Sequence, residues 1–297
     1  MATAFVLTGG GSLGAVQVGM LAALHESGIR PDLLVGTSVG AVNAAYVAGA
    51  ASPDASSLGA RVSSLARLWQ DLHRRDVFRL EPHRWWDAAR GSQPSMFSGD
   101  GLAQLLHRHL GYDTLEEAHI PVAVTVTDLV TGIGSLLYQG PSADAVRASA
   151  AIPGVLPPVH LQGSTFVDGA IGELDVLTRT AAHDVTDLYL LPGGYPCAGS
   201  PPTSALGIAL TSLSLLLHRG LIGQVRAYTG AARLHIIPPL CPLATSPADF
   251  TQTSALVHRA HRSTRAWLHG RGDDRAFTGD PSVLALHTHD RRPVTEP

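Results

Sequence analysis

The sequence predicts an α/β fold built as one domain, and three observations predict it. Short apolar, partly β-branched runs alternate with segments whose apolar residues recur at helical spacing. Two of those runs pass into a helix through glycine-containing junctions near the N-terminus. No internal repeat, heptad pattern or clear interdomain linker interrupts the alternation, so a single α/β unit is the economical reading. The chain has 297 residues, 45% of them hydrophobic, which is enough for a substantial core.

The first strand is "AFVLT", followed by Gly9-Gly10-Gly11-Ser12-Leu13-Gly14 and a helix over residues 15–24 that Gly28 stops. The second is "LLVGTS", leading into an alanine-rich helix. Residues 51–110 read as helical and more polar, with a loop around "RGSQPSMFSG". "PVAVTVTDL" and "GSLLYQ" are successive strands joined near "VTG", and a helix of small residues spans 142–150 before the loop "IPGVLPPV". "STFVDGA" is a short strand ending in a turn. "DVTDLYLLP" and "ARLHIIPP" are two more strands, separated by the apolar stretch "SALGIALTSLSLLLHRGLIG". With few charges to form a polar face, that stretch is expected to be a core helix packed on the sheet rather than one dipping into a lipid surface. "ADFTQTSALVHRAHRSTRAWL" is the last helix. The expected organisation is therefore a domain over residues 1–270 and a flexible tail over 271–297, where Arg, Asp, His and Pro take over.

Composition removes several function classes. A net charge of −3, without Lys–Arg clusters interleaved with aromatics, gives no case for nucleic acid. All 21 basic residues are arginine, which excludes Schiff-base and P-loop lysine chemistry. Cys197 and Cys241 lie far apart in sequence and match no metal or redox spacing, so they read as ordinary thiols of a reducing compartment. The N-terminus lacks the basic region of a signal peptide, and no unbroken apolar stretch reaches the ~18 residues of a membrane span. The expected location is cytoplasmic, with at most peripheral contact with membranes.

Two glycine motifs carry the chemistry. The first loop fits G-x-G-x-x-G at a strand–helix junction, where unpaired amides and the helix dipole suit an anion. Alone it fits a pyrophosphate, a transition-state oxyanion or a plain tight turn equally well. A dinucleotide site also wants an acidic residue ending the second strand, whereas Asp32 precedes that strand. The second motif, Gly36-Thr37-Ser38-Val39-Gly40, fits G-x-S-x-G between a strand and a helix, the setting of a nucleophile elbow. It argues against the nucleotide; its plain alternative is a helix N-cap. A serine nucleophile needs a base. Fifteen histidines leave a triad open, although only one strand and one helix precede the elbow, unlike the common α/β-hydrolase order. Asp168 in "FVDGA" is the other candidate, and in isolation an Asp-Gly there is a turn.

The pieces "GGGSLG", "GTSVGAVNA", "ASAAIPGVLPPV" and "VDGA", in that order, resemble the patatin-like phospholipase family of lipid acyl hydrolases. "SMFSGDGLAQLL" and "PVAVTVTDLVTG" are weaker matches, and the resemblance covers about residues 4–191. It implies a three-layer α/β/α sandwich around a mostly parallel sheet, and a Ser–Asp dyad without histidine. By position, Ser38 is the implied nucleophile, Asp168 the implied base, and the Gly9, Gly10 and Gly11 amides the implied oxyanion hole, with Gly14, Gly36, Gly40 and Gly169 supporting the motifs. The implied partner is a lipid or another acyl ester, and no cofactor or metal is required. An acyltransferase sharing the acyl-enzyme and a non-catalytic lipid-binding module are the alternatives. Two departures stand out. Leu13 occupies a place where the family commonly has Arg or Lys, so a phosphate head group is expected to be less favoured unless another arginine, such as Arg147, supplies the cation. After "VDGA" the chain reads "IGELDV", so Glu173 and Asp175 receive no role.

Overall fold

Ala2–Leu7 forms β1, four of whose six residues are buried, and its alternating side chains feed two different cores. Phe5 and Leu7 belong to one cluster, Ala4 and Val6 to the other. A strand covered on both faces must be apolar almost throughout, which is why "AFVL" lacks a polar alternation. The computed structural model describes residues 2–50, 52, 54–79, 81–198, 201–270 and 280–287.

The remaining strands are β2 (Leu33–Gly36), β3 (Val122–Asp128), β4 (Gly134–Leu137), β5 (Val159–Leu161), β6 (Ser164–Asp168), β7 (Val185–Leu191) and β8 (Arg233–Ile236). They form an eight-stranded sheet in the order β5-β6-β3-β2-β1-β7-β8, with β4 also paired to β3. The β1–β2, β2–β3, β1–β7 and β7–β8 pairs are parallel. The β3–β4, β3–β6 and β5–β6 pairs are antiparallel. β5 adds a strand to those the sequence predicts: only its first residue, Val159, falls in the expected loop, and at three residues it is too short to show a period.

On one face lie α1 (Gly14–Glu26), α2 (Val39–Ala48), α3 (Ala55–Asp71), α6 (Asp100–His109), α7 (Ser142–Ser149) and α10 (Thr253–His269), whose buried side chains join the Phe5 cluster. The short α4 (Arg74–Val77) and α5 (Pro82–Ala89) fall between α3 and α6. On the other face lie α8 (Val176–Ala181) and α9 (Ala205–Ala227), which contribute Leu177, Ile222 and Val225 to the second cluster. The result is three layers, α/β/α.

α9 departs from the expectation of a core helix. Ile222 and Val225 are buried, but Ile208 is 51% exposed, Leu215 38% and Leu216 64%. Its span Gly207–Ala227 is long and apolar enough, by length and composition, to cross a membrane, yet only 17% of its most apolar window is buried. The scarcity of charges predicted a covered helix, whereas only a minor part of it is buried. Within the predicted tail, residues 271–279 and 288–297 lie outside the described residues. Pro281–Leu284 forms a short 3-10 helix, with Leu284 fully buried and its carbonyl 2.7 Å from His218 Nε2 on α9.

Candidate active site

The site forms along the C-terminal edge of the parallel strands, where β1 and β2 each turn into a helix. Ser38 follows β2 with φ 56° and ψ −125°, a left-handed conformation that non-glycine residues rarely adopt and that costs about 1–3 kcal/mol. The turn is possible because α2 begins flush against β1: a side chain on Gly40 would collide with the Leu7 carbonyl. The Ser38 amide donates to Ser149 Oγ at 2.9 Å, anchoring the turn to the end of α7. The neighbouring Thr37 hydroxyl accepts from Thr125 Oγ1 on β3 at 2.9 Å. The strained turn is thus held by two buried polar contacts, one at Ser38 and one at Thr37, and Ser38 is only 6% exposed.

The glycine loop lies beside it. Gly11 has φ 58° and approaches Pro247 so closely that a Cβ would sit 2.5 Å from the Pro247 carbonyl oxygen; Ser12 N donates to that same oxygen at 2.8 Å. The amides of Gly9, Gly10 and Gly11 have no acceptor among the described residues, and all three glycines line one cavity with Ser38. A buried polar network holds the loop from behind. Gln17 Nε2 donates to the carbonyls of Thr8 (2.7 Å) and Leu191 (3.1 Å). Its Oε1 accepts from Asn43 Nδ2 (2.9 Å), and Trp69 Nε1 donates to Asn43 Oδ1 (2.9 Å). Satisfied networks of this kind rigidify, because leaving any one member unpaired would cost about 1–3 kcal/mol.

Asp168 ends β6, which runs antiparallel to β3 with Asp168 opposite Val126, so the carboxyl reaches the same edge from the opposite chain direction. The strand end is fixed by Asp168 N donating to the Ala151 carbonyl (3.0 Å) and by Thr127 Oγ1 donating to the Asp168 carbonyl (2.8 Å). The carboxylate accepts from Ala170 N at 3.0 Å and from the Ser38 side chain. Burial dominates its titration: with 3% exposure, desolvation pushes the pKa up to about 6, against the downward pull of those two hydrogen bonds.

Ser38, Asp168, Gly9, Gly10, Gly11 and Gly169 all line a cavity of about 170 Å³, whose remaining wall is largely apolar and includes Phe78, Phe97, Val155, Leu213, Leu217 and Leu221. Gly14, Gly36 and Gly40 stand behind it at the strand–helix junctions, each too tightly packed for a side chain. Asp32 lies at the far edge, where its carboxylate accepts from Thr3 N (2.7 Å). Asp175 caps α8 by accepting from Thr178 N (3.0 Å). Of the histidines, His218 reaches the cavity wall, but its Nε2 is taken up by the Leu284 carbonyl.

The sequence reading missed Ser149, whose motif was visible but whose partner lies across the fold, and Arg74, which lines the cavity from α4. Leu13 turns away: it is fully buried in the core, so its side chain faces no substrate. Arg147 pairs with Asp144 on α7 (2.7 Å) and is not in the cavity wall.

A three-layer α/β/α domain with a serine elbow, a buried aspartate and a glycine loop on one cavity defines a class, and comparison with known proteins places the chain within it. The patatin-like phospholipase model matches residues 5–175, and the chain belongs to that family. It is 29% identical over 170 residues to an uncharacterised NTE family protein of Mycobacterium tuberculosis, covering 57% of this chain and 42% of that one. It is 27% identical over 188 residues to the neuropathy target esterase sws of Drosophila melanogaster, covering 63% of this chain and 12% of that one. The chain therefore spans less than half the length of these curated relatives. Among solved structures it is similar to VipD from Legionella pneumophila, with a TM-score of 0.45 and 15% identity over 91% of this chain and 67% of that one.

Proposed function

We propose that residues 1–270 act as a serine acyl hydrolase that cleaves carboxylic esters of lipids through Ser38 and Asp168. The observation that carries the proposal is the hydrogen bond from a strained serine to a buried, high-pKa carboxylate beside unpaired glycine amides, on the wall of an apolar cavity. As Ser38 Oγ attacks the ester carbonyl, its proton passes to the Asp168 carboxylate. The carbonyl oxygen becomes an anion within reach of the Gly9–Gly11 amides, where each donor contributes about 3 kcal/mol to the transition state. Collapse expels the alcohol, which takes the proton from Asp168 and leaves the acyl group on Ser38. Water then attacks the acyl-enzyme, giving a proton to Asp168 that returns to Ser38 as the fatty acid departs. The apolar cavity wall receives the acyl chain.

The exposed apolar residues support contact with a lipid surface. Ile208, Leu215 and Leu216 face outward from the helix whose Leu213, Leu217 and Leu221 line the cavity. α9 carries no acidic residue, and its exposed Arg219 and Arg226 suit anionic lipid. Leu129, Val130 and Ile133 project past the same sheet edge, between β3 and β4.

Labelling with a fluorophosphonate tests the chemistry: Ser38 should carry the adduct, and Ser38→Ala should abolish both adduct and ester hydrolysis. An adduct on another serine of the folded, active protein refutes the assignment. For the surface, Leu215→Ser with Leu216→Ser should lower binding to anionic vesicles while leaving thermal stability unchanged. A lowered melting temperature would return α9 to a core role.

A further inference from the structure

Cys197 and Cys241, remote in sequence, meet in space. Cys197 lies in the loop after β7 and Cys241 in the loop after β8; because these two strands are parallel neighbours, both loops leave the same sheet edge. The loops remain joined beyond the strands, with Ala198 N donating to the Leu243 carbonyl (2.9 Å) and Leu243 N donating to Cys197 Sγ (3.3 Å). His287, from the segment following Pro281–Leu284, completes a cluster in which the two Sγ atoms and one imidazole nitrogen all lie within 4.8 Å of one another.

The histidine is already set as a metal ligand would be. Its Nδ1 lies 2.9 Å from the Ala285 carbonyl oxygen, so Nδ1 carries the hydrogen and the Nε2 lone pair faces Cys241 Sγ, 2.9 Å away. A backbone carbonyl holding the far nitrogen is the usual support of a zinc-bound imidazole. Tyr195 adds a second support, its hydroxyl accepting from His287 N at 2.7 Å.

We propose that Cys197, Cys241 and His287 bind one zinc ion, with solvent as the fourth ligand. Two thiolates and one imidazole form the sulfur–nitrogen donor set that zinc prefers in tetrahedral coordination. Bond lengths of about 2.3 Å to sulfur and 2.0–2.1 Å to nitrogen place the ligating atoms about 3.6–3.8 Å apart. Loading requires Cys241 Sγ and His287 Nε2 to separate by about 0.7 Å, which side-chain rotation supplies because both residues are exposed. Cys197 forms the buried floor, and the open side gives the ion access.

The site ties three segments that have no common element. Two of them also build the hydrolytic cavity: Gly194 precedes Cys197, Pro247 follows Cys241, and both line its wall. Zinc therefore acts as a clip, fixing that wall and the segment bearing Leu284 without touching the reacting atoms.

The test uses the full chain, reduced and freed of metal with a chelator, then given Zn²⁺ or Co²⁺ alone. One equivalent of zinc per chain should survive desalting and raise the melting temperature. Cobalt should give sulfur-to-metal charge transfer together with tetrahedral visible bands. Cys241→Ser and His287→Ala alter exposed side chains, so they should keep the far-ultraviolet spectrum while weakening zinc binding by about tenfold or more. Cys241→Ser should also lose part of the charge-transfer intensity. Failure to retain zinc, or a cobalt spectrum unchanged in Cys241→Ser, overturns the site. So does a Cys197–Cys241 disulfide in freshly purified protein, which would make the cysteines a redox pair instead.

Discussion

If Asp168 is the base of the proposed mechanism, it ties activity and stability together with opposite signs, and Asp168→Asn separates them. The carboxyl titrates at about 6 in the fold, against an ordinary value of 3.8. That difference corresponds to about 3 kcal/mol of stability, since each pH unit of displacement is worth about 1.4 kcal/mol. The folded pKa is raised, so below pH ~4 both states are protonated and burial carries no charge penalty. Between pH 4 and 6 the unfolded chain gives up its proton while the folded chain keeps it, and stability falls. Above pH ~6 the whole penalty is present. Asparagine keeps the acceptor for Ala170 N and has no charge to bury. Asp168→Asn should therefore match wild type near pH 4 and exceed it by up to about 3 kcal/mol at pH 8, a melting shift on the order of 5–10 °C. Over the same range its ester hydrolysis should be lower by roughly two to four orders of magnitude. Wild-type kcat/KM should rise through pH ~6 to a plateau as the base deprotonates. Melting curves and urea titrations at both pH values, beside a pH–rate profile, read all of this out. An Asn variant less stable than wild type at pH 8, or one whose advantage does not change with pH, would refute the reasoning.

Ser38→Gly should relieve the strain at φ 56° and stabilise the fold by about 1 kcal/mol, whereas Ser38→Ala keeps the strain and should not; equal melting temperatures for the two would argue against a strained elbow. Because Leu13 is fully buried, Leu13→Arg should lower stability sharply rather than recruit phosphate, as thermal melts would report. Arg74→Ala removes the arginine that does line the cavity and should lower turnover of phospholipid relative to a neutral ester of equal chain length by about tenfold.

What the sequence disclosed was what is local. Both glycine junctions were legible because a strand, a turn and a helix N-terminus each leave a mark within a dozen or so residues, and the family motifs then supplied Asp168. Contacts between distant elements left no such mark. Ser149 reaches Ser38 only because α7 packs beside α2, and nothing in "ASAAIPG" says so. Leu13 is adjacent in sequence to the glycine loop, but the helical turn there rotates its side chain into the core. For α9, hydropathy measures what a helix is made of and not what covers it. Cys197 and Cys241 are brought together by the parallel register of β7 and β8, which spacing along the chain does not encode.

The antiparallel seat of β6 bears on how the protein is born. Ser38 and the glycine loop lie in the turns that follow β2 and β1, well before Asp168 in the order of synthesis. The aspartate is made much later, and it reaches Ser38 only when β6 pairs with β3 against the direction of the core strands. In a growing chain Ser38 thus precedes the carboxylate that accepts its hydrogen bond. Under the proposed mechanism, competence therefore waits for β6 to dock on β3.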